Sequence, residues 1–121
     1  MRLYFVISVY FWDLQGVFMN RIETLQNFLK DSPEDNFLQH SLALEHIKAG
    51  DDGKARILFE NILVRDPEYV GSYYHLAKLL ERTGDTDEAT KVYEQGMEHA
   101  KEASDNHAFN ELRAAYEDLT F

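Results

Sequence analysis

The chain has 121 residues, no cysteine and a formal net charge of -10. A chain of this length supports one domain with its own core, since it buries roughly two-thirds of its unfolded surface. The lack of cysteine excludes disulfides, thiolate zinc sites and a cysteine nucleophile, and it fits a cytoplasmic protein. The acidic excess argues against a protein that binds nucleic-acid phosphates.

Residues 1–18 differ from the rest of the chain because 13 of them are hydrophobic. A membrane span needs about 20 apolar residues, so this run is too short to cross a bilayer. It also lacks the small residues of a secretory cleavage site. Two interpretations are favoured over a signal peptide, which would make the protein secreted or membrane-tethered. Either Met19 is the true start of the chain, or the segment is an extra helix that covers one end of the domain.

Residues 19–35 contain an amphipathic stretch that predicts one helix. Its apolar residues precede a second apolar set by 34 positions: Leu25, Phe28 and Leu29 correspond to Phe59, Ile62 and Leu63. We therefore interpret residues 19–35 as the second helix of an incomplete repeat.

The next two segments, residues 36–69 and 70–103, share residues at the same spacing of 34. The matched positions are Leu42 with Leu76, Ala43 with Ala77, Gly50 with Gly84, Ala55 with Ala89, and Phe59 with Tyr93. In each segment, apolar residues at helical spacing flank a short polar turn, which predicts a pair of helices. The first pair is expected over residues 37–48 and 54–64.

The turns and helix ends carry more specific signals. Gly50 and Gly84 are predicted to adopt the left-handed conformation that ends the first helix of each pair. Ser32 and Asp66 each precede a proline, so we expect them to cap a helix whose first residue is that proline. Lys101 replaces the proline expected by the repeat, so the second helix of residues 70–103 is predicted to run longer.

This pattern resembles the tetratricopeptide repeat, a helix-turn-helix unit of about 34 residues. In the second segment, Tyr73 stands at the Trp position, Leu76 and Ala77 at the Leu-Gly pair, and Ala89 and Tyr93 at the Ala-x3-Phe positions. The resemblance implies an all-α, right-handed stack of helical hairpins with two full repeats and flanking helices. Residues 104–121 then form a capping helix, and its Arg113 gives that helix a polar outer side.

The resemblance also implies where a ligand binds, because the first helices of such repeats line a concave groove. The groove positions of this sequence are Phe37, His40, Leu44, Lys48, Tyr74, Lys78 and Arg82. Three of them are basic in an acidic domain, so the expected partner is a protein or peptide segment that can be acidic. Repeats that clamp the acidic tails of chaperones carry Lys and Asn where this chain has His40 and Leu44, which argues against that subtype.

No residue pattern in the chain indicates catalysis or metal binding. The five histidines lack the spacing that aims two ligands at one metal, and no Gly-rich phosphate loop is present. We therefore expect no enzymatic activity, cofactor, metal or membrane span. The leading hypothesis is a protein-interaction scaffold that is a monomer or a weak homo-oligomer. The alternative is a self-assembling structural module or a subunit of a larger complex, since the fold alone does not choose a function.

Overall fold

The computed structural model describes residues 21–121, which form α-helices joined by short turns and contain no strand. Helix α1 covers residues 21–31, and the other helices are α2 (Asn36–Lys48), α3 (Asp52–Arg65), α4 (Gly71–Arg82), α5 (Thr86–Glu102) and α6 (Asn106–Thr120). The interpretations of residues 1–18, and of Met19 as the start of the chain, concern positions outside the described range. In the described part, no helix is both long and apolar enough to cross a bilayer.

Three turns of the chain are built in the same way. Gly50 and Gly84 have φ angles of +82° and +88°, which confirms the predicted left-handed glycines. Ser104 adopts the same conformation with a φ of 56° after α5. After each of these residues, the amide of an aspartate donates to a carbonyl five residues earlier at 2.8 Å. These bonds satisfy carbonyls that would otherwise be left free at the end of a helix.

The prediction that Ser32 and Asp66 cap helices at the following prolines is wrong. Helix α2 begins three residues later, and its cap is Asp35, whose carboxylate accepts from the amide of Leu38 at 3.0 Å. Helix α4 begins at Gly71 without a side-chain cap. The Asp66 carboxylate is occupied elsewhere, because it accepts hydrogen bonds from the Asn36 side chain and from the amide of Glu68.

The core contains the repeat positions that the spacing predicts, together with Leu79 of α4 and Leu112 and Ala115 of α6. Small residues allow close helix contacts, and four alanines at these positions are fully buried: Ala43, Ala55, Ala77 and Ala89. Phe59 and Tyr93 fill the space between them and are also fully buried. Helix α4 packs against both α3 and α5, and α5 packs in turn against α6. Helix α5 has 17 residues against 14 in α3, as expected from the missing proline.

Gly96 sets the distance between α5 and its neighbours. A Cβ atom at this position would lie 2.6 Å from the Cβ of Tyr73 and 3.0 Å from a methyl carbon of Leu112. Real Cβ atoms do not approach other carbon atoms so closely, so α4, α5 and α6 can pack in this arrangement only around a glycine.

Candidate functional site

His40 joins the first helices of the two repeats. Its Nδ1 atom shares a hydrogen bond of 2.9 Å with the Oγ atom of Ser72, which is fully buried on α4. The imidazole ring meets the rings of Phe59, Tyr69 and His75 edge to face, at centroid distances between 5.3 and 5.9 Å. This predicted groove residue is therefore held from three sides at the junction of α2, α3 and α4.

Two histidines in this cluster are neutral at physiological pH. Burial, together with the nearby His75, lowers the pKa of His40 to about 4. Burial also lowers the pKa of His75, although the carboxylate of Glu111 acts in the opposite direction. Since the charged form of an imidazole is disfavoured away from water, His40 offers a ligand a polar ring without a positive charge.

Tyr74 and Lys78 continue the same surface along α4. The Tyr74 ring contacts His75 at a centroid distance of 5.5 Å, and the Nζ atom of Lys78 lies 5.9 Å from the centre of the Tyr74 ring. The order of side chains is thus His40, His75, Tyr74 and Lys78. Three of the seven predicted groove residues are connected in this way, and the link between them is His75.

The remaining predicted residues lie along α2 and at the end of α4. Phe37 is 68% exposed in the first turn of α2, and Leu44 is half-buried two turns further on, where it packs against the core. Lys48 and Arg82 are the last residues of α2 and α4. We call the surface of these residues with His40, His75, Tyr74 and Lys78 the α2–α4 face.

Each basic residue of the α2–α4 face has a carboxylate neighbour. The three pairs are Lys48 with Glu45 at 3.4 Å, Lys78 with Glu81 at 3.5 Å, and Arg82 with Asp52 at 2.7 Å. The first two pairs have i,i+3 spacing on one helix, whereas the third joins α4 to the start of α3. An acidic ligand must therefore compete with carboxylates that are already in place, and the face is closer to neutral than its lysines and arginine suggest.

Glu81 is fixed by a second contact. The hydroxyl of Tyr93, a fully buried residue of α5, donates a hydrogen bond to the Glu81 carboxylate. Burial and this carboxylate together raise the pKa of Tyr93 far above its ordinary value. The Glu81 carboxylate beside Lys78 is therefore held by α5 as well as by its own helix.

Two residues that shape this face were not predicted from the sequence. Ser72 and His75 do not fall on the expected stripe, and their counterparts 34 positions earlier are Leu38 and Ser41. No spacing signal could therefore have identified them. Within residues 21–121, no group of three or more His, Asp or Glu side chains is arranged to hold a metal ion.

Comparison with known proteins places the chain among similar helical repeats. It is 42% identical to a tetratricopeptide repeat domain protein from Salinibacter ruber, whose crystal structure matches with a TM-score of 0.68 over 70% of this chain and 94% of that one. It is 28% identical over 91 residues to a tetratricopeptide repeat-containing protein of Pseudomonas aeruginosa, covering 75% of this chain and 87% of the relative. The TPR2B domain of yeast Sti1, in complex with pHsp70, has the same fold at 16% identity, with a TM-score of 0.79 over 90% of this chain and 87% of that domain. No family model matches the chain.

Proposed function

Because the chain belongs to the tetratricopeptide repeat family, we propose that it is a non-enzymatic scaffold that binds a peptide or protein segment along the α2–α4 face. The observation that carries the proposal is the run of contacting side chains from His40 through His75 and Tyr74 to Lys78. Side chains of two successive first helices thus form one surface. The Sti1 domain, which shares the fold, occurs in complex with pHsp70.

Apolar contacts supply most of the affinity in this proposal. Phe37 is exposed, and Leu44 and Tyr74 are half-buried, so a ligand can remove further apolar area from water at each of them. Full burial of a side chain such as Phe37 contributes about 1.5–3 kcal/mol. Neutral imidazoles and the Tyr74 hydroxyl orient polar groups of the ligand.

Acidic groups on the ligand play a smaller part. Lys48, Lys78 and Arg82 are partly exposed, and each already interacts with a carboxylate of this chain. An acidic ligand exchanges one ion pair for another at such positions, and exposed pairs contribute only about 0–1 kcal/mol. We therefore expect the ligand to have an apolar segment and at most a modest acidic character.

We propose that residues 36–69 and 70–103 are the two repeat units, preceded by a half-repeat within residues 19–35 and capped by residues 104–121. The six buried or half-buried apolar side chains of α6 that face the core support its role as a cap: Ala108, Phe109, Leu112, Ala115, Tyr116 and Leu119. Arg113 is exposed on the same helix, where it lies against the Phe109 ring.

The test compares ligand capture by variants of the full chain. Phe37→Ser and Tyr74→Ala remove an exposed and a half-buried apolar group of the α2–α4 face, whereas Ile57→Ser removes a side chain from α3 that is 59% exposed, similar to Phe37. Circular dichroism confirms that each variant is folded before its partners are captured from the native source and identified by mass spectrometry. The proposal predicts loss of the same partner with the first two variants and its retention with Ile57→Ser. Retention with all three contradicts the proposal.

Self-association is a second candidate function, favoured by large apolar side chains that lie exposed outside the α2–α4 face. Phe28 is 57% exposed on α1, and Val64 is 84% exposed on α3. Sedimentation velocity of the full chain over a range of concentrations tests this candidate. A single monomeric species at all concentrations excludes it.

A further inference from the structure

A cleft of about 600 Å³ lies between α3 and α5, with α4 as its floor. We call it the α3–α5 cleft. Leu63 and Val64 of α3 form its apolar wall, and Val64 is 84% exposed, whereas the buried side chains of Leu76, Leu80 and Val92 close it from below. None of the residues that line it belongs to the α2–α4 face, so the proposed function leaves this cleft without a role.

The dimensions of the cleft suit a short peptide segment. Along α5 its lining runs from Glu88 through Val92 and Gln95 to His99, always on one face of the helix. The eleven steps from Glu88 to His99 rise about 16 Å along the helix, which corresponds to about three turns of a bound helix or about five residues of an extended chain.

Carboxylates lie at both ends of this apolar cleft. Glu60 and Glu88 line one end together with the start of α5, and Glu98 lies beside His99 at the other. Arg56 binds Glu60 at 2.7 Å and lies 3.7 Å from Asp85. Among residues 21–121, no basic side chain is within 4.0 Å of the carboxylates of Glu88 or Glu98, although Arg56 is close enough to Glu88 for the two charges to attract.

The negative charge continues beyond the His99 end. A smaller hollow shares His99 with the cleft and is lined by Glu68 and Glu102. The His99 ring is stacked on Tyr73 at a centroid distance of 5.7 Å, and its buried Nδ1 atom lies 3.7 Å from a Glu102 carboxylate oxygen, beyond hydrogen-bond distance. A polar ligand group at this end can therefore meet both a fixed imidazole and several carboxylates.

We propose that the α3–α5 cleft binds a basic amphipathic segment of a partner protein. Aliphatic side chains of the segment pack on Leu63 and Val64, and its Lys or Arg residues pair with Glu88 and Glu98. The charges of the cleft repel acidic peptides and phosphates, and they attract a cationic partner to an apolar surface. This surface is separate from the α2–α4 face, so the protein can hold two different segments at once.

The experiment uses the full chain labelled with ¹⁵N and three synthetic peptides of about twelve residues, about the length of three helical turns. One peptide has lysines flanking leucines, the second has glutamates in place of the lysines, and the third has serines in place of the leucines. Amide shifts locate the binding site, and fluorescence anisotropy gives the affinity at low and high salt. Glu88→Gln with Glu98→Gln removes two cleft charges, and Glu23→Gln with Glu34→Gln removes two exposed charges elsewhere as a matched control.

We expect the lysine–leucine peptide alone to bind, with shifts at Val64 and Val92 and a lower affinity at high salt. The cleft double variant should weaken binding by about tenfold, and the control double variant should not change it. The proposal is overturned if that peptide fails to saturate the protein below about 1 mM, a free energy of only about -4 kcal/mol. It is also overturned if the two double variants behave alike or if the shifts lie on α2 and α4. Phe37→Ser distinguishes the two surfaces, because it should leave this binding intact whether or not the α2–α4 face binds a ligand.

Discussion

Gln39 and Tyr73 make the same hydrogen bond in the two repeats, although one is an amide and the other a phenol. The Gln39 Nε2 atom donates to the carbonyl of Pro33 at 2.7 Å, and the Tyr73 hydroxyl donates to the carbonyl of Pro67 at 2.6 Å. The two donors are 34 residues apart, and each acceptor lies six residues earlier. In both repeats, this hydrogen bond joins the turn that contains the proline to the helix that follows it.

Tyr73→Phe should lower the free energy of unfolding by about 1 kcal/mol, since it removes a hydrogen bond at a buried side chain while the ring remains. Chemical denaturation with circular dichroism measures the change. Tyr116→Phe is the control, because the Tyr116 hydroxyl reaches Glu94 only at an exposed site and at 3.3 Å. Equal effects of the two substitutions would show that the hydrogen bond to Pro67 contributes no more to stability than the exposed contact of Tyr116.

Gly96→Ala should destabilise the protein by about 1–2 kcal/mol. Because the contact with the Cβ atom of Tyr73 is only 2.6 Å, overpacking should cost about 2–3 kcal/mol, the upper part of its usual range, and the better helix propensity of alanine returns about 1 kcal/mol. Gly53 of α3 provides the matched control, because a Cβ atom there meets only a carboxylate oxygen of Asp51 at 3.7 Å. Thermal melting should show a lower Tm for Gly96→Ala and an unchanged or higher Tm for Gly53→Ala. A Gly96→Ala protein as stable as the wild type contradicts the packing described here.

Ser104→Gly should stabilise the protein by about 0.5–1 kcal/mol. Ser104 has a left-handed φ of 56°, which disfavours residues with a Cβ atom by about 1–2 kcal/mol, and the greater freedom of glycine in the unfolded chain offsets part of the gain. Gly84→Ala makes the reverse change in the equivalent turn and should destabilise by about 1 kcal/mol. Urea denaturation of both variants tests the pair, and shifts of the same sign would refute the common turn geometry.

Stability should decrease below neutral pH because of His40. Its pKa is about 4 in the folded protein, against an ordinary value of 6.5 for histidine, so the unfolded chain binds more protons between these two pH values. The stabilisation is complete above pH 6.5 and is lost as the pH falls toward 4, with a slope of at most about 1.4 kcal/mol per pH unit for one proton. His75 adds to this trend, while Glu111 counteracts it at His75.

The slope is measured by urea denaturation at several pH values in this window. His40→Gln should flatten it, whatever that substitution does to stability at neutral pH. His107→Gln serves as the control, since the His107 side chain is 92% exposed and should leave the slope unchanged. A His40→Gln slope equal to that of the wild type would mean that the buried imidazole does not resist protonation.

Much of the fold could be predicted because the repeat places its signals at fixed positions. The match of Leu42 with Leu76 and of Gly50 with Gly84 identifies the helices and turns without knowledge of the packing. The helix caps could not be predicted in this way, since Asp66 has two possible uses and the contact with Asn36 prevails. Which partner Asp66 contacts depends on Asn36, which is 30 residues away in sequence and lies beside Asp66 only in the folded chain.

The candidate site could also be predicted only in part. Periodicity is sufficient to place Tyr74 and Lys78 on one face of α4, and the resemblance to the repeat family predicts that His40 of α2 belongs to the same surface. It does not reveal that Arg82 pairs with Asp52, because this contact depends on how α4 crosses the start of α3. The i,i+3 partners of Lys48 and Lys78 were visible in the sequence and already argue against a strongly basic groove.

The most direct test of the α2–α4 face is site-specific photo-crosslinking in the native source. Full-length protein carries p-benzoylphenylalanine in place of either Phe37 or Ile57, two exposed apolar residues on different helices. The account predicts a discrete adduct from position 37 that disappears when Tyr74→Ala is added, and no such adduct from position 57. Equal adducts from both positions, or an adduct from position 37 that persists with Tyr74→Ala, would contradict binding at this face.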